Sequence, residues 1–536
     1  MNVEPARNSS LHPPLWFWLI PAVMAVLRLI PFLSLQVLEP PEGFSYMGVP
    51  FIPKDFLSYI ALIRQGAEEG TWIWSNPFTT DPQTPHMIMF FFTMLGMLCR
   101  FTGLDPVWSL ELSRIPLLFI FFACFWYLLA PLLSDYRDRC MAAVLVAFSG
   151  GLEYFAGGLS DFLPARVSAQ IKLDTWQMYG WNTFSGFYNP LWIAAMIPAL
   201  FVLKAVLWSP PPESAKSFIS AGIFFFITYL IHPYTALYLV AVIVAVPVTK
   251  MLLGETIDFK KQKNIFLGFV PAGLALLAIV IWQSQDALCR QSAANVFSSQ
   301  ILSVFWYPLT YGLLGIMAIR GACRWSKEAH PFRFSMFAWI AAAIMLHSSP
   351  LTSGYRFVFF LHLPVCIIAA GATRELFTHL YCVKKSFIST FLVAIILFSV
   401  PVAATYDSVL DAEKLNIVHN DIMQTMATLA ELPAGNVVSP PSIGNMLPAF
   451  TSHRVWLGHW FLTPDYMARE RTYNLIVSDV KNSGLLAEIV EAHKISYIVV
   501  PAAASPTVEK ALAGRIARKL KHGNLATFVL AASSAQ

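Results

Sequence analysis

The sequence predicts an α-helical polytopic membrane protein of about twelve to thirteen transmembrane helices, closed by a small C-terminal α/β domain. Three observations lead there. Hydrophobic residues make up 57% of the 536 and charged residues 12%, whereas soluble domains carry about a quarter charged. Apolar segments long enough to cross a bilayer, or nearly so, recur as far as Thr405. Beyond Thr405 the pattern turns to alternating short strands and amphipathic helices.

The first apolar segment, Leu15 to Leu38, is longer than a signal-peptide core and ends in no small-residue cleavage site, so it reads as a retained anchor. Further spans are expected at Pro85 to Arg100, Ile115 to Leu133, Met141 to Ala156, Pro190 to Leu207 and Phe218 to Ile231. They continue at Tyr234 to Met251, Ile265 to Gln283, Ile301 to Ile319, Phe334 to Leu346, Phe357 to Thr373 and Phe387 to Thr405. Several fall short of the ~20 residues an upright helix needs. In this reading residues 1–405 form the transmembrane domain, with a first external loop over 39–85, and 406–536 form a soluble domain outside the cytoplasm. Within it Gly435 to Ser439, Arg454 to Leu457 and Ile495 to Val500 read as strands, and Tyr466 to Val480 and Leu485 to His493 as amphipathic helices.

Basic residues cluster at Lys250, Lys260, Lys261 and Lys263, at Arg320, Arg324, Lys327 and Arg333, and at Arg374, Lys384 and Lys385, so these loops should be cytoplasmic. One span follows the last of them, which puts everything after Thr405 on the opposite face. Counting back through twelve spans puts the first loop on the cytoplasmic side, so one span is misjudged if both regions lie outside. The hairpin Phe218 to Met251, broken at His232-Pro233-Tyr234, is one candidate, and a hidden crossing between Pro85 and Asn189 is another.

The net charge of +5 reflects basic loops between spans and calls for no nucleic-acid partner. Cysteines such as Cys99, Cys124, Cys140 and Cys366 fall inside spans without a C-x-x-C pair, so they read as packing residues. There is no G-x-S-x-G, Walker loop or G-x-G-x-x-G, which leaves hydrolase, ATPase and dinucleotide readings unsupported. No cofactor is indicated; Asp81 and His86 are too sparse for a metal site on their own, although two carboxylates and an imidazole leave a divalent metal open.

In Pro53-Lys54-Asp55-Phe56-Leu57-Ser58-Tyr59, the carboxylate and the phenol four residues on share a face if the segment is helical. Asp55 there can accept a proton from an acceptor hydroxyl, with Tyr59 and Arg64 as candidate substrate contacts. The same aspartate also reads as a solvated residue paired with Lys54 or Arg64. Trp72 and Trp74, among glycine, asparagine and proline, suit a ring that stacks on a sugar, or equally an interfacial aromatic belt. Arg356, opening a span after Thr352-Ser353-Gly354-Tyr355, offers a planar fork to a lipid-linked phosphate; snorkelling to headgroups is the alternative. His232 sits at a helix break where it can line a cavity or satisfy backbone groups freed by Pro233. Glu153, Asp161 and Asp174 have no distinguishing context.

This pattern resembles the GT-C-fold glycosyltransferases of bacterial membranes. The resemblance rests on an N-terminal span, a first external loop with an aspartate followed by an aromatic (Asp55 to Tyr59), many further spans, an arginine at the outer mouth of a late one, and a C-terminal extracytoplasmic domain. Asp55 to Gly70 through Asn76-Pro77-Phe78-Thr79, Leu447-Pro448-Ala449-Phe450-Thr451 and Gly458-His459-Trp460-Phe461-Leu462-Thr463 are similar to members of that superfamily. It implies an inverting transfer of a sugar from a polyprenyl-phosphate carrier to a glycan, lipid or protein acceptor outside the cytoplasm of a bacterial inner membrane. Asp55 takes the catalytic-base position and Arg356 the carrier-phosphate contact. Many members pair two carboxylates in this loop, whereas here Asp55 lies between Lys54 and Phe56. Trp456, His459, Trp460 and Tyr466 of the last domain are placed to hold an acceptor or cover the site. The alternatives are a transporter or flippase for lipid-linked saccharides, which would favour internal repeats and mid-membrane charges beyond Arg28, and a scaffold for an export complex.

Overall fold

The computed structural model describes residues 12–49, 53–150, 164, 189–208, 215–286, 290, 307–350, 357–382 and 387–531. Five helices open the chain: α1 (Leu19–Val37), α2 (Pro53–Glu69), α3 (Phe90–Thr102), α4 (Pro106–Leu132) and α5 (Tyr136–Phe148). Among the described residues six helices are long and apolar enough to cross a membrane: Leu15–Val37, Pro106–Leu132, Pro190–Leu207, Pro233–Leu252, Phe259–Gln283 and Phe359–Tyr381. Shorter apolar helices cover Phe90–Thr102, Phe218–Ile231, Arg333–His347 and Phe387–Phe398. Two compact units result, one of Met1–Ile30, Leu112–Ile279 and Asn295–Asp407, the other of Pro31–Glu111, Val280–Ala294 and Ser408–Gln536.

The first unit is a helix bundle held by close backbone contact at small residues. A Cβ on Gly222 would meet the Gly268 carbonyl oxygen at 2.3 Å, and one on Gly321 would meet that of Ile368 at 2.0 Å. Small residues suit apolar surroundings, where lipid competes with larger side chains for the same contacts. Ion pairs tie the loops at one end of this unit: Arg374 to Asp138 and, at 3.3 Å, to Asp135, Arg324 to Glu375, and Arg333 to Glu255 at 3.1 Å. The loops that carry Glu255, Arg333 and Glu375 therefore share one end with the turn between α4 and α5.

The second unit is built on a five-stranded sheet in the order β4-β3-β5-β7-β6. Its strands are β3 (Asn436–Val438), β4 (Arg454–Val455), β5 (Ile495–Pro501), β6 (Ile516–His522) and β7 (Leu525–Leu530). β3 runs parallel to β4 and β5, and β7 antiparallel to β5 and β6. Val438, Leu457, Ile476, Leu486, Ile498, Val500 and Phe528 fill its core. A two-stranded ladder, β1 (Phe44–Tyr46) with β2 (Ile417–His419), joins the first loop to the start of the C-terminal region through Phe44 opposite His419 and Tyr46 opposite Ile417.

The segment Pro85 to Arg100, expected as a span, is non-helical up to Met89 and then forms the 13-residue α3. At 1.5 Å per residue α3 is about 20 Å long, short of a ~30 Å hydrocarbon core. It packs on α2 through glycines: a Cβ on Gly96 would lie 2.0 Å from the Ile63 oxygen, and one on Gly66 2.3 Å from that of Thr93. Gly103, at φ 72°, ends the helix in the left-handed conformation glycine tolerates.

Candidate active site

α2 buries Phe56, Leu57, Ile60, Ala61 and Ile63 and leaves Asp55 in its first turn, where the positive end of the helix dipole favours a carboxylate. Ser58 Oγ donates to the Asp55 carbonyl at 2.6 Å within that turn. The Asp55 side chain is 40% exposed, so its carboxylate is open to solvent.

Two segments distant in sequence meet beside α2. The Asn76 amide donates to Leu462 O at 2.7 Å, Thr463 Oγ1 donates to Phe78 O at 2.9 Å, and Val455 N–H donates to Pro77 O at 2.9 Å. Gln83 and Asn76 exchange two further bonds, which fix the shape of loop 76–83. On the other segment Thr463 N–H donates to His459 O at 2.9 Å and Gly458 N–H to Thr463 Oγ1 at 3.1 Å. Gly458 is set against Gly444 of helix Pro441–Phe450, where a Cβ on Gly444 would fall 1.9 Å from Leu457 O.

His459 emerges from this knot, 5% exposed, with Nε2 3.5 Å from Asp55 Oδ1. Its Nδ1 accepts the N–H groups of Phe461 and Leu462, both at 3.2 Å, so the ring proton belongs on Nε2, the atom that faces Asp55. Trp460 and Phe461 are large exposed rings directly beyond it.

A second cluster fastens the loop. Asp81 accepts from Arg469 and from Thr79 Oγ1 at 2.9 Å, and His493 Nδ1 lies 3.5 Å from Asp81 Oδ1 and 3.0 Å from Thr80 Oγ1. Arg469 also donates to Trp456 O at 2.9 Å and covers the Trp456 ring. Burial and the Arg469 charge hold His493 below the ordinary imidazole value, against the pull of Asp81. Burial likewise lowers His86, opposed by Asp286 at 3.8 Å, and lowers His453, whose ring is engaged by Gly435 N–H and Leu429 O.

Of the residues singled out in the sequence, Asp55, Tyr59 and Arg64 lie on α2. The Tyr59 ring stacks on Phe92 at 4.4 Å, and Arg64 pairs with Glu68 at 2.7 Å. Trp72 is exposed, and its carbonyl accepts from Thr93 Oγ1 at 2.6 Å, while Trp74 is buried and stacks on His86. His232 belongs to the other unit, where its Nδ1 bonds Thr235 Oγ1 at 2.8 Å beside Trp192. Arg356, Glu153, Asp161, Asp174, Lys384, Lys385 and the Lys54 side chain lie outside the described residues. Among the described residues no three metal-ligating side chains gather. Sequence reasoning did not pair His459 with Asp55 or Arg469 with Asp81, because nothing local in either segment marks a partner so far along the chain.

No protein-family model matches the chain, and no curated protein matches it by sequence. Solved structures do match by fold. ArnT from Cupriavidus metallidurans aligns over 97% of this chain and 99% of its own at 12% identity, with a TM-score of 0.53. The arabinofuranosyltransferase AftD from Mycobacteria aligns over 98% of this chain and 42% of its own at 14% identity, with a TM-score of 0.52. The Archaeoglobus fulgidus oligosaccharyltransferase, solved with a tethered acceptor peptide, aligns over 97% of this chain and 74% of its own at 12% identity, with a TM-score of 0.46. The likeness to ArnT and AftD, both GT-C-fold membrane glycosyltransferases, gives this multi-pass membrane chain the GT-C fold.

Proposed function

We propose that the chain is a membrane glycosyltransferase, moving a sugar from a polyprenyl-phosphate carrier to an extracytoplasmic acceptor with Asp55 as base. The observation that carries this reading is Asp55 itself. It is a part-exposed carboxylate at the head of α2, beside a knot of loop 76–83 and segment 455–463, in a chain of GT-C fold. The acceptor hydroxyl oxygen forms a bond to the sugar C1 as the C1–O bond to phosphate breaks. The hydroxyl proton passes to Asp55, and the polyprenyl phosphate leaves with the electron pair, so the configuration at C1 inverts. Arg356 is the cation the sequence offers to the carrier phosphate. Trp460, 56% exposed, offers a face to an acceptor sugar.

The same reading gives a topology. The pair of Asp138 with Arg374 supports putting the α4–α5 turn on the side of the basic loops, which this reading takes as cytoplasmic, with the first loop outside. The β1–β2 ladder, which pairs the first loop with residues beyond Thr405, supports putting both regions on one side. Dropping a crossing at Pro85 to Arg100 removes the conflict in the count. The exposed Met94, Leu98 and Phe101 of α3 suit a helix lying in the interface of a bacterial cytoplasmic membrane.

The test is to reconstitute the protein in liposomes with polyprenyl-phosphate sugars labelled in the sugar, adding glycan, lipid and peptide acceptors in turn. Label should leave the carrier, with polyprenyl phosphate accumulating and an inverted linkage in the product. Label that crosses the bilayer still attached to its carrier would make the protein a transporter and refute the transferase reading.

A further inference from the structure

We propose that His459 is a positioning residue for Asp55, an inference that rests on Asp55 being the base. The lone pair on Nδ1 is taken by two main-chain donors, Phe461 and Leu462, so this imidazole has one proton and one place to put it. That place is Nε2, which has no hydrogen-bond partner among the described residues and lies 3.5 Å from Asp55 Oδ1, close enough for a small side-chain rotation to join them. A buried N–H with nothing else to satisfy is aimed at one oxygen of a part-exposed carboxylate. An aspartate at a helix terminus can rotate freely about its side-chain bonds. With Oδ1 facing His459, one carboxylate oxygen is oriented and the other is left for the acceptor hydroxyl.

The segment that carries His459 is rigid for identifiable reasons. Thr463 bonds back to Gly458 and across to Phe78, Asn76 holds Leu462, and the Phe78 ring lies 5.7 Å from the imidazole. A ring on a mobile loop could not orient a base, whereas this one is fixed by its own Nδ1 contacts and by the loop it faces. The C-terminal region thus supplies part of the reacting geometry.

Three substitutions separate orientation from support. His459→Asn keeps an acceptor near the Nδ1 position for the Phe461 and Leu462 N–H groups but is too short to reach Asp55. His459→Gln places an amide donor where Nε2 stood. His459→Ala removes both. In the reconstituted transfer assay, His459→Asn should lower kcat about tenfold to a hundredfold with the donor KM within about twofold, as expected for a misaligned reacting group. His459→Gln should recover kcat to within about threefold of wild type, and His459→Asn in an Asp55→Asn background should cost nothing further. Wild-type kcat in His459→Asn, or a Gln variant no better than Ala, would overturn the positioning role while leaving Asp55 as base. An Asp55→Asn protein with wild-type turnover would overturn both. Thermal melts of each variant separate loss of fold from loss of rate.

Discussion

The Asn76 side-chain amide donates to the Leu462 carbonyl at 2.7 Å while its oxygen accepts the Phe78 N–H at 2.9 Å, so one buried residue fastens the first loop to the segment that carries His459. Asn76→Leu would strand a buried carbonyl and a buried N–H, each costing about 1–3 kcal/mol. A fall in melting temperature with loss of transfer is expected, and an unchanged melt would show that water replaces both contacts.

Gly444 lets helix Pro441–Phe450 touch the backbone at Leu457, where a Cβ would lie 1.9 Å from the carbonyl oxygen. Gly444→Ala must push Leu457 and Gly458 away, at about 1–3 kcal/mol, and shift His459 with them. Transfer should fall by more than the loss of folded protein accounts for, measured as activity per folded molecule. Gly96→Ala, which parts α3 from α2, should lower stability alongside activity.

Much of this architecture is legible in the sequence, and the parts that are not share a cause. The apolar spans, β3, β4 and β5 follow from composition and local periodicity, as does the helical setting of Asp55 and Tyr59. β6, reading Ile-Ala-Arg-Lys-Leu-Lys-His, hides its strand character behind the charges of an exposed edge. Pro85 to Arg100 passes a hydropathy test although α3 lies on α2, because apolar content cannot tell a helix that crosses lipid from one seated on Ile63 and Gly66 of a neighbouring helix. The meeting of Asp55 with His459, and of Asp81 with Arg469, is a tertiary fact that no window of sequence contains.

Arg469 and Asp81 are both mostly buried, and each is the other's charged partner. Arg469→Met would leave Asp81 short of compensation and should destabilise by about 3 kcal/mol, near the range for breaking buried pairs. The double change to Met at 469 and Asn at 81 should recover part of that loss in a chemical-denaturation series.

Acid should loosen the second unit. His86, His453 and His493 are all held below the ordinary value of 6.5 chiefly by burial. The unfolded chain therefore takes up protons that the folded unit refuses. The stability these groups contribute is full above about pH 6.5 and declines as pH falls below it. Melting temperatures between pH 7.5 and 5 should drop, and His493→Gln should flatten part of the slope; a flat profile in the wild type would contradict the shifts.

The most direct test of Asp55 as base is single-turnover transfer by Asp55→Asn in liposomes, with a donor that the wild-type protein consumes. The account predicts bound donor at near wild-type affinity and a chemical step slowed by about 10²- to 10⁴-fold, the usual contribution of a general base. An Asp55→Asn protein that transfers the sugar at the wild-type rate would contradict it.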